Sequence, residues 1–236
     1  MSRATNPNSM PPQERSQGVP PEQLLGPLNE VEVRNAPPKL YFEGDTSLLQ
    51  RSRLRVSIVG ARKASPAGIA NARKLAADLA KVGIVIVSGL AEGIDAAAHD
   101  AAIRAGGRTI AVLGGPVDAY FPRSNRALQE EIERDHLVIS QFPSGYPILR
   151  QNFPQRNRVM ALISDATVIV EACETSGSIS QGWEAIRLGR HLCLYEAVGR
   201  NPAFEWSREM LKYGAEVVAD SRRLLRVLPV RRSAAA

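Results

Sequence analysis

The sequence predicts a single α/β domain with a doubly wound, mostly parallel sheet and short extensions at both ends. Six apolar runs, rich in β-branched residues, are separated by segments in which Ala, Ile and Leu recur at helical spacing. Near-continuous apolar strands are typical of a parallel sheet whose two faces are both covered by helices. A hydrophobic fraction of 44% in 236 residues also excludes a wholly disordered or fibrous chain.

The strands are predicted at 55–61, 84–89, 109–115, 137–142, 167–172 and 191–197. The helices before the second and third strands are predicted to stop at Gly83 and Gly106, because glycine readily takes the left-handed conformation that ends a helix. The proline-rich residues 1–36 are predicted to be a flexible leader. Residues 221–236 are predicted to begin as a short helix and continue as a basic tail, which leaves 37–220 as the domain.

Several classes of protein are disfavoured. No run approaches the roughly 20 apolar residues that a membrane-spanning helix needs, and the N-terminus lacks the apolar core of a signal peptide, so a cytoplasmic location is expected. Cys173 and Cys193 both lie in apolar runs. Two such cysteines indicate buried thiols in a reducing compartment, and neither a disulfide framework nor a metal site is expected.

The formal net charge of +6 makes a polyanion a candidate partner. Residues 1–50 hold four basic and six acidic side chains, which gives −2, and residues 221–236 hold five arginines, which gives +5. The remaining +3 comes from 21 basic and 18 acidic side chains in 51–220. Local clusters of charge are therefore more informative than the total.

The loops that follow the strands are the places to look for such clusters, because ligands of doubly wound sheets bind at the carboxyl ends of the strands. The first loop presents Arg62 and Lys63 after Gly60, just before a predicted helix start. These cations could form a phosphate site, although solvated loop charges are an equal alternative. The loop lacks the G-x-G-x-x-G spacing of dinucleotide-binding folds, and no cofactor is expected.

The second loop leads into a helix on which Asp95 and His99 lie four residues apart. Such a pair could act as a general base, but a helix cap with a local hydrogen bond is the favoured interpretation. No Ser or Cys nucleophile accompanies the pair, and no catalytic residue is assigned.

The fourth loop holds three arginines, two asparagines and a phenylalanine within residues 150–158. Guanidinium groups bind phosphate oxygens, whereas aromatic faces and amides bind unstacked bases. Phe153 alone is more simply explained as a buried anchor, but the whole cluster favours nucleic acid. The fifth loop, at 174–178, is either an anion cradle or a plain capping loop.

Several segments resemble the DNA-processing protein A (DprA/Smf) family, which is Rossmann-like, and they occur in the same order along the chain as in that family. They are IVGARKASPAG at 58–68, VSGLAEGIDAAAH at 87–99, GGRTIAVLGGPVDAYFP at 106–122, NFPQRNRVMALIS at 152–164 and SGSISQGWEAIRLGR at 176–190. The resemblance implies a cytosolic homodimer that binds single-stranded DNA and assists loading of a RecA-type recombinase, with no established catalytic activity. The candidate DNA-binding residues are then Arg62, Lys63, Arg150, Asn152, Phe153, Arg156, Asn157 and Arg158. The residues expected to shape the rim of the same site are Gly60, Ser88, Gly89, Gly93, Ser176, Gly177 and Ser178.

Two alternatives to a DNA-binding mediator stay open. One is an enzyme that cleaves nucleoside monophosphates, although Gly114-Gly115-Pro116 lacks the glutamate of the motif that such enzymes use, and the first acid after Ser178 is Glu184. The other is a nucleotide-sensing module of a defence system. Such a module is plausible because the family usually has further domains on both sides of this one, and the chain is expected to be a trimmed version.

Overall fold

An eight-stranded sheet, parallel except at one edge, forms the centre of the molecule. The computed structural model describes residues 17–228. The strands are β1 (Tyr41–Gly44), β2 (Arg55–Gly60), β3 (Val85–Ser88), β4 (Thr109–Leu113), β5 (Leu137–Ser140), β6 (Ala166–Glu171), β7 (His191–Tyr195) and β8 (Glu216–Val218). All six predicted strands are present as β2 to β7, and the short β1 and β8 extend the two edges, β1 being antiparallel to β5.

The strands are connected mainly by helices. Those in the described part of the chain are α1 (Pro21–Leu25), α2 (Glu30–Asn35), α3 (Pro66–Lys81), α4 (Ile94–Arg104), α5 (Arg126–Asp135), α6 (Asn152–Ile163), α7 (Gly177–Arg187), α8 (Glu196–Gly199), α9 (Glu205–Lys212) and α10 (Ser221–Val227). As predicted, the chain turns after α3 and α4 at Gly83 and Gly106, with φ of +81° and +74°.

Both faces of the sheet are covered, which confirms the doubly wound prediction. Ile58 of β2 packs in one buried cluster with Leu75 of α3 and Ala98 of α4. The next residue, Val59, faces the opposite side and packs in a second cluster with Met160 of α6. Adjacent residues of one strand therefore enter different layers of the core, which explains why the strands read as continuous apolar runs.

The order of the strands is β1-β5-β4-β3-β2-β6-β7-β8. From β2 the chain adds β3, β4 and β5 on one side, and it then returns to add β6, β7 and β8 on the other. β2 and β6 lie side by side, with Ile58 opposite Val168. A reversal of this kind opens a crevice outside the carboxyl ends of the two strands.

The prediction of a flexible leader over 1–36 is wrong for residues 17–36. α2 begins with a capping box, in which Asn29 Oδ1 accepts from the Glu32 amide at 2.9 Å and Glu32 Oε2 accepts from the Asn29 amide at 2.8 Å. Glu32 also forms an ion pair with Arg190 at the end of α7. Proline is compatible with this order because Pro21 occupies the first position of α1, where no backbone N–H is needed. Residues 1–16 lie outside the described part.

Two smaller predictions have mixed outcomes. Cys193 is buried in β7 as expected, but Cys173 is exposed, because it lies beyond the end of β6 rather than within it. The predicted short helix at the start of the tail is α10, and residues 229–236 lie outside the described part. None of the helices between residues 17 and 228 is both long enough and apolar enough to cross a membrane.

Candidate functional site

A cleft of about 450 Å³ opens at the carboxyl ends of β2 and β6. Its walls are the loop after β2, the first turns of α6, and the loop between β6 and α7. The structure brings ten of the fifteen predicted site residues to this cleft: Gly60, Arg62, Lys63, Arg150, Phe153, Arg156, Asn157, Ser176, Gly177 and Ser178.

The loop with Arg62 and Lys63 is fastened to the neighbouring strand β6. The Ala61 amide donates to the backbone oxygen of Glu171 at 2.8 Å. Further along, the Glu171 carboxylate accepts from the Ser65 amide at 2.8 Å and from the Ser65 hydroxyl at 2.5 Å. Both ends of the loop are thereby fixed, and the two cationic side chains between them remain exposed. Sequence reasoning missed Glu171, although an acid that ends a predicted strand was a visible signal.

Arg156 lies at the base of the cleft and is only 6% exposed. Its Nη1 donates to the Val112 backbone oxygen at 3.0 Å. Burial lowers the pKa of Arg156, and the nearby Asp95 carboxylate acts against this lowering. Burial likewise raises the pKa of Asp95, which the charge of Arg156 opposes. Each group therefore stabilises the charged form of the other, as a buried pair must.

The close approach of Arg156 to the chain after β3 depends on Gly89. A Cβ atom built on Gly89 would overlap the guanidinium group of Arg156. Gly93, in the next turn, likewise permits a close approach of two backbone segments. Its φ is +81°, and a Cβ atom there would overlap the backbone oxygens of Ala61 and Arg62. These glycines allow the second loop to pack directly on the first loop and on α6.

Three buried polar atoms of the cleft are unpaired. Within residues 17–228, Arg156 Nε, Ser178 Oγ and Gln181 Oε1 have no hydrogen-bond partner, and all three residues line the cleft. Buried polar groups normally find a partner, so these three atoms can pair with water or with a polar ligand that enters the cleft. Gln181 was not predicted, because one amide in the middle of an amphipathic helix gives no signal in the sequence.

Phe153 presents a half-buried ring between two cations. Its centroid is 5.3 Å from the guanidinium carbon of Arg62 and 6.0 Å from that of Arg156. A second ring, that of Phe121, lies 5.8 Å away, centroid to centroid. The ring thus contributes to the packing of the loops, as expected of an anchor, and is also part of the cleft wall.

Several predicted residues support the site without lining the main cleft. Asn152 is fully buried, and its amide donates to the backbone oxygens of Gly114 at 3.0 Å and Pro147 at 2.9 Å. The buried Ser88 hydroxyl donates to the Ile58 backbone oxygen at 2.6 Å. A direct ligand contact by Asn152 or Ser88 is therefore not what the structure shows, since both are engaged in holding loops.

Arg158 also lies away from the cleft, on another side of α6. Two residues along a helix correspond to a rotation of roughly 200°, so Arg158 cannot share the direction of Arg156. Its Nε donates to Glu184 Oε1 at 3.2 Å, and Arg187 lies 3.6 Å from the same oxygen. Glu184 lies two turns into α7 rather than at its start, where a nucleoside-cleaving enzyme would need an acid; it is held in ion pairs and does not line the cleft.

The net charge of the cleft is positive. Among its lining residues, Arg62, Lys63, Arg150 and Arg156 are basic and Asp95 is acidic, which gives a net charge of +3. The start of α7 adds backbone N–H groups, and Asn157 fixes that start by donating to the Gly177 oxygen at 3.2 Å. The arrangement suits an anionic ligand.

The favoured interpretation of Asp95 as a helix cap is wrong, because α4 begins after Gly93 with no side-chain cap bond and Asp95 instead fastens the loop before the helix. Its carboxylate accepts from the amides of Gly89 at 3.1 Å and Ala91 at 3.4 Å. His99 instead bonds to Thr109 Oγ1 at 2.6 Å, and burial is the main cause that lowers the pKa of His99 to about 3. Between residues 17 and 228 no group of three or more His, Cys, Asp or Glu side chains is arranged to hold a metal ion.

The chain is similar to known proteins in family, in sequence and in structure. The family model described as DNA recombination-mediator protein A matches residues 21–229. The DNA processing protein DprA of Streptococcus pneumoniae is 35% identical over 199 residues, which are 84% of this chain and 70% of that protein. Protein Smf of Synechocystis is 37% identical over 199 residues, which are 82% of this chain and 49% of that protein.

Solved structures of DprA proteins also match this chain. The structure of DprA from Streptococcus pneumoniae has a TM-score of 0.76 and 32% identity, and the match covers 86% of this chain and 73% of that one. DNA processing protein A from Helicobacter pylori, described with its single-stranded DNA binding mode, has a TM-score of 0.74 and 28% identity, with coverage of 86% and 95%. A molybdenum cofactor binding protein from Rippkaea orientalis, at 16% identity and a TM-score of 0.54, shares the fold alone.

Proposed function

We propose that this chain, which belongs to the DNA recombination-mediator protein A family, binds single-stranded DNA in the cleft and assists a RecA-type recombinase in loading onto that strand. On this proposal the protein positions a strand and does not itself catalyse a reaction. Its action as a homodimer in the cytoplasm is part of the same proposal and rests on family membership rather than on the cleft.

The convergence of four cations and one aromatic ring at a single crevice is the observation that supports DNA binding best. Arg62, Lys63 and Arg150 are exposed at the mouth of the cleft, where they can neutralise successive phosphates. Phe153 offers an aromatic face between them, on which a base can stack. The relative from Helicobacter pylori, which covers most of the same fold, is described as binding single-stranded DNA.

A preference for a single strand over a duplex follows from the position of the ring. The ring of Phe153 is half-buried and lies beside Arg62 and Phe121, so a base that stacks on it has to turn out of its own stack. Bases in a duplex are paired and stacked, whereas those of a single strand are free to turn. The phosphates alone would not discriminate, because both forms of DNA present them.

Fluorescence anisotropy with a labelled oligo-dT strand, measured across a range of salt concentrations, tests the proposal. Arg62→Ala and Arg150→Ala should each weaken binding, and each should reduce the slope of log K against log [salt] by about 1, as expected for one lost phosphate contact. Arg134→Ala is the matched control, because Arg134 is exposed at the end of α5 and pairs with Asp135 away from the cleft.

Three results would contradict the proposal. One is unchanged affinity in the Arg62 and Arg150 variants, and another is equal affinity for single-stranded and duplex DNA. Tight binding of a free nucleotide with no binding of DNA would instead favour the nucleotide-sensing alternative.

A further inference from the structure

A second cavity of about 110 Å³ adjoins the cleft and shares Arg62 and Phe153 with it. The rings of Phe153 and Phe121, which contact each other with centroids 5.8 Å apart, form one wall of it, and Phe121 is 46% exposed although it is a large apolar side chain. The backbone of Gly89 and Gly114 forms part of the lining, where no side chain intrudes. An aromatic wall beside a glycine lining fits a planar, partly apolar group such as a nucleobase.

Arg62 and Glu92 are the charged residues of this cavity, and Glu92, an exposed residue of the loop after β3, supplies its acceptor. Its Oε1 accepts a hydrogen bond from the Ser124 hydroxyl at 2.7 Å. The same two loops are joined a second time, because Asn125 Nδ2 donates to the backbone oxygen of Leu90 at 2.9 Å. One hydrogen bond thus orients the carboxylate at the rim, and the second bond holds together the two loops that carry Glu92 and Ser124.

We propose that this cavity holds a base of the bound strand and that Glu92 makes it select bases with an amino group over thymine. The inference rests on the proposed function, since it requires that single-stranded DNA occupies the adjoining cleft. A carboxylate only accepts hydrogen bonds. Cytosine, adenine and guanine each offer an amino group to it, whereas thymine offers two carbonyl oxygens, which the carboxylate repels, and one N–H between them.

The charge of Glu92 gives the proposal a clear signature. A negative charge in a cleft for a polyanion weakens the binding of every sequence, so its removal should tighten binding in general. A hydrogen bond to the base, by contrast, changes the ratio of the affinities for different sequences. The ratio of affinities for two oligonucleotides of equal length therefore separates base selection from simple repulsion.

Anisotropy titrations with labelled oligo-dC and oligo-dT of equal length, at slightly alkaline pH, measure this ratio. The wild-type protein should prefer oligo-dC by roughly five- to tenfold. This ratio corresponds to about 1 kcal/mol, the lower end of the discrimination that one specific hydrogen-bonded base contact provides. Glu92→Gln should bind both strands more tightly and bring the ratio close to 1, because an amide can also donate to the oxygens of thymine.

Asp118→Asn is the matched control. Asp118 is an exposed acid at the same edge of the sheet, where it accepts from the Ser144 hydroxyl at 2.5 Å, and it lines neither cavity. Its variant should tighten the binding of both strands by the same factor and preserve the ratio.

The possible outcomes separate this inference from the proposed function. Equal binding of oligo-dC and oligo-dT by the wild-type protein, or a preference that survives in Glu92→Gln, would overturn base selection by Glu92 and leave DNA binding intact. No binding of either strand would overturn the proposed function itself.

Discussion

Buried charge at the base of the cleft illustrates how strongly single residues constrain this site. The guanidinium group of Arg156 is buried. Its charge is tolerated because the Val112 backbone oxygen accepts a hydrogen bond from it and the Asp95 carboxylate lies nearby. Gly89 leaves the space that the group occupies. A methyl group at that position would force the guanidinium away from its partner, with a buried charge left unpaired.

We therefore expect Gly89→Ala to destabilise the protein by on the order of 3 kcal/mol and to weaken DNA binding, as measured by urea unfolding and by anisotropy. Gly177→Ala is its control, because Gly177 also lines the cleft but no atom lies within 4 Å of a Cβ built there. Equal stability of the two variants would show that Arg156 can relocate at no cost.

At the scale of elements, α2 is attached to the body of the fold by one mostly buried ion pair. The side chains of Glu32 and Arg190 are only 11% and 22% exposed, and Arg190 also donates to the Leu162 backbone oxygen at 3.1 Å. Glu30 lies on the same helix and pairs with Arg34, but both of these side chains are more than three-quarters exposed. The two glutamates differ in burial while sharing a helix, so they form a natural comparison.

Glu32→Gln should lower the free energy of unfolding by about 1 to 2 kcal/mol, since it removes one charge of a buried pair while the amide can still form part of the capping box. Glu30→Gln should change it by less than about 0.5 kcal/mol, as is usual for exposed pairs. Urea titrations of the two variants under the same conditions make the comparison. If both changed stability equally, α2 would not be anchored through Glu32.

The predictability of each element from sequence depends on its place in the sheet. Central strands such as β2 and β6 are buried at every residue but the last, so that most of their residues are apolar and the pattern is clear. The edge strand β1, with the sequence YFEG, buries only Phe42 fully and is too short to show a period. The helices before β1 were missed because their prolines were taken as a sign of flexibility, although Pro21 begins one of them.

The site was predictable to the extent that its residues are local. Cations at the ends of strands, such as Arg62 and Arg150, are visible in the sequence once the sheet is inferred. Glu171 and Gln181 acquire their roles only because β6 and α7 lie against elements that are distant along the chain. Contacts of this kind follow from tertiary packing, and no local pattern encodes them.

At the scale of the whole molecule, the fully buried His99 gives stability a dependence on pH, and His136, whose pKa burial also lowers, acts in the same sense. Burial lowers the pKa of His99 to about 3, and the positive charges of His136 and Arg156 act in the same direction. In the unfolded chain a histidine titrates near 6.5. Between these values the unfolded chain binds more protons than the folded protein, so stability that is present above pH 6.5 is lost as the pH falls.

Going from pH 7 to pH 5 should therefore cost about 2 kcal/mol through His99, seen as a lower urea midpoint. His99→Gln should show a correspondingly smaller loss between the two pH values, whatever its own stability. His191→Gln, which alters an exposed histidine at the start of β7, should keep the wild-type loss. A wild-type loss that persisted in His99→Gln would assign the effect to other groups.

The reversal of strand order between β2 and β6 has a consequence for the energetics of the entire chain. Ser65 and Glu171 are hydrogen-bonded at the mouth of the cleft although 106 positions separate them. The walls of the cleft therefore come from the two halves of the chain and exist only while the halves are assembled. A DNA strand that bridges the two halves would act as a non-covalent cross-link. At a concentration one hundred times its dissociation constant, the strand would add about 2.7 kcal/mol to the free energy of unfolding.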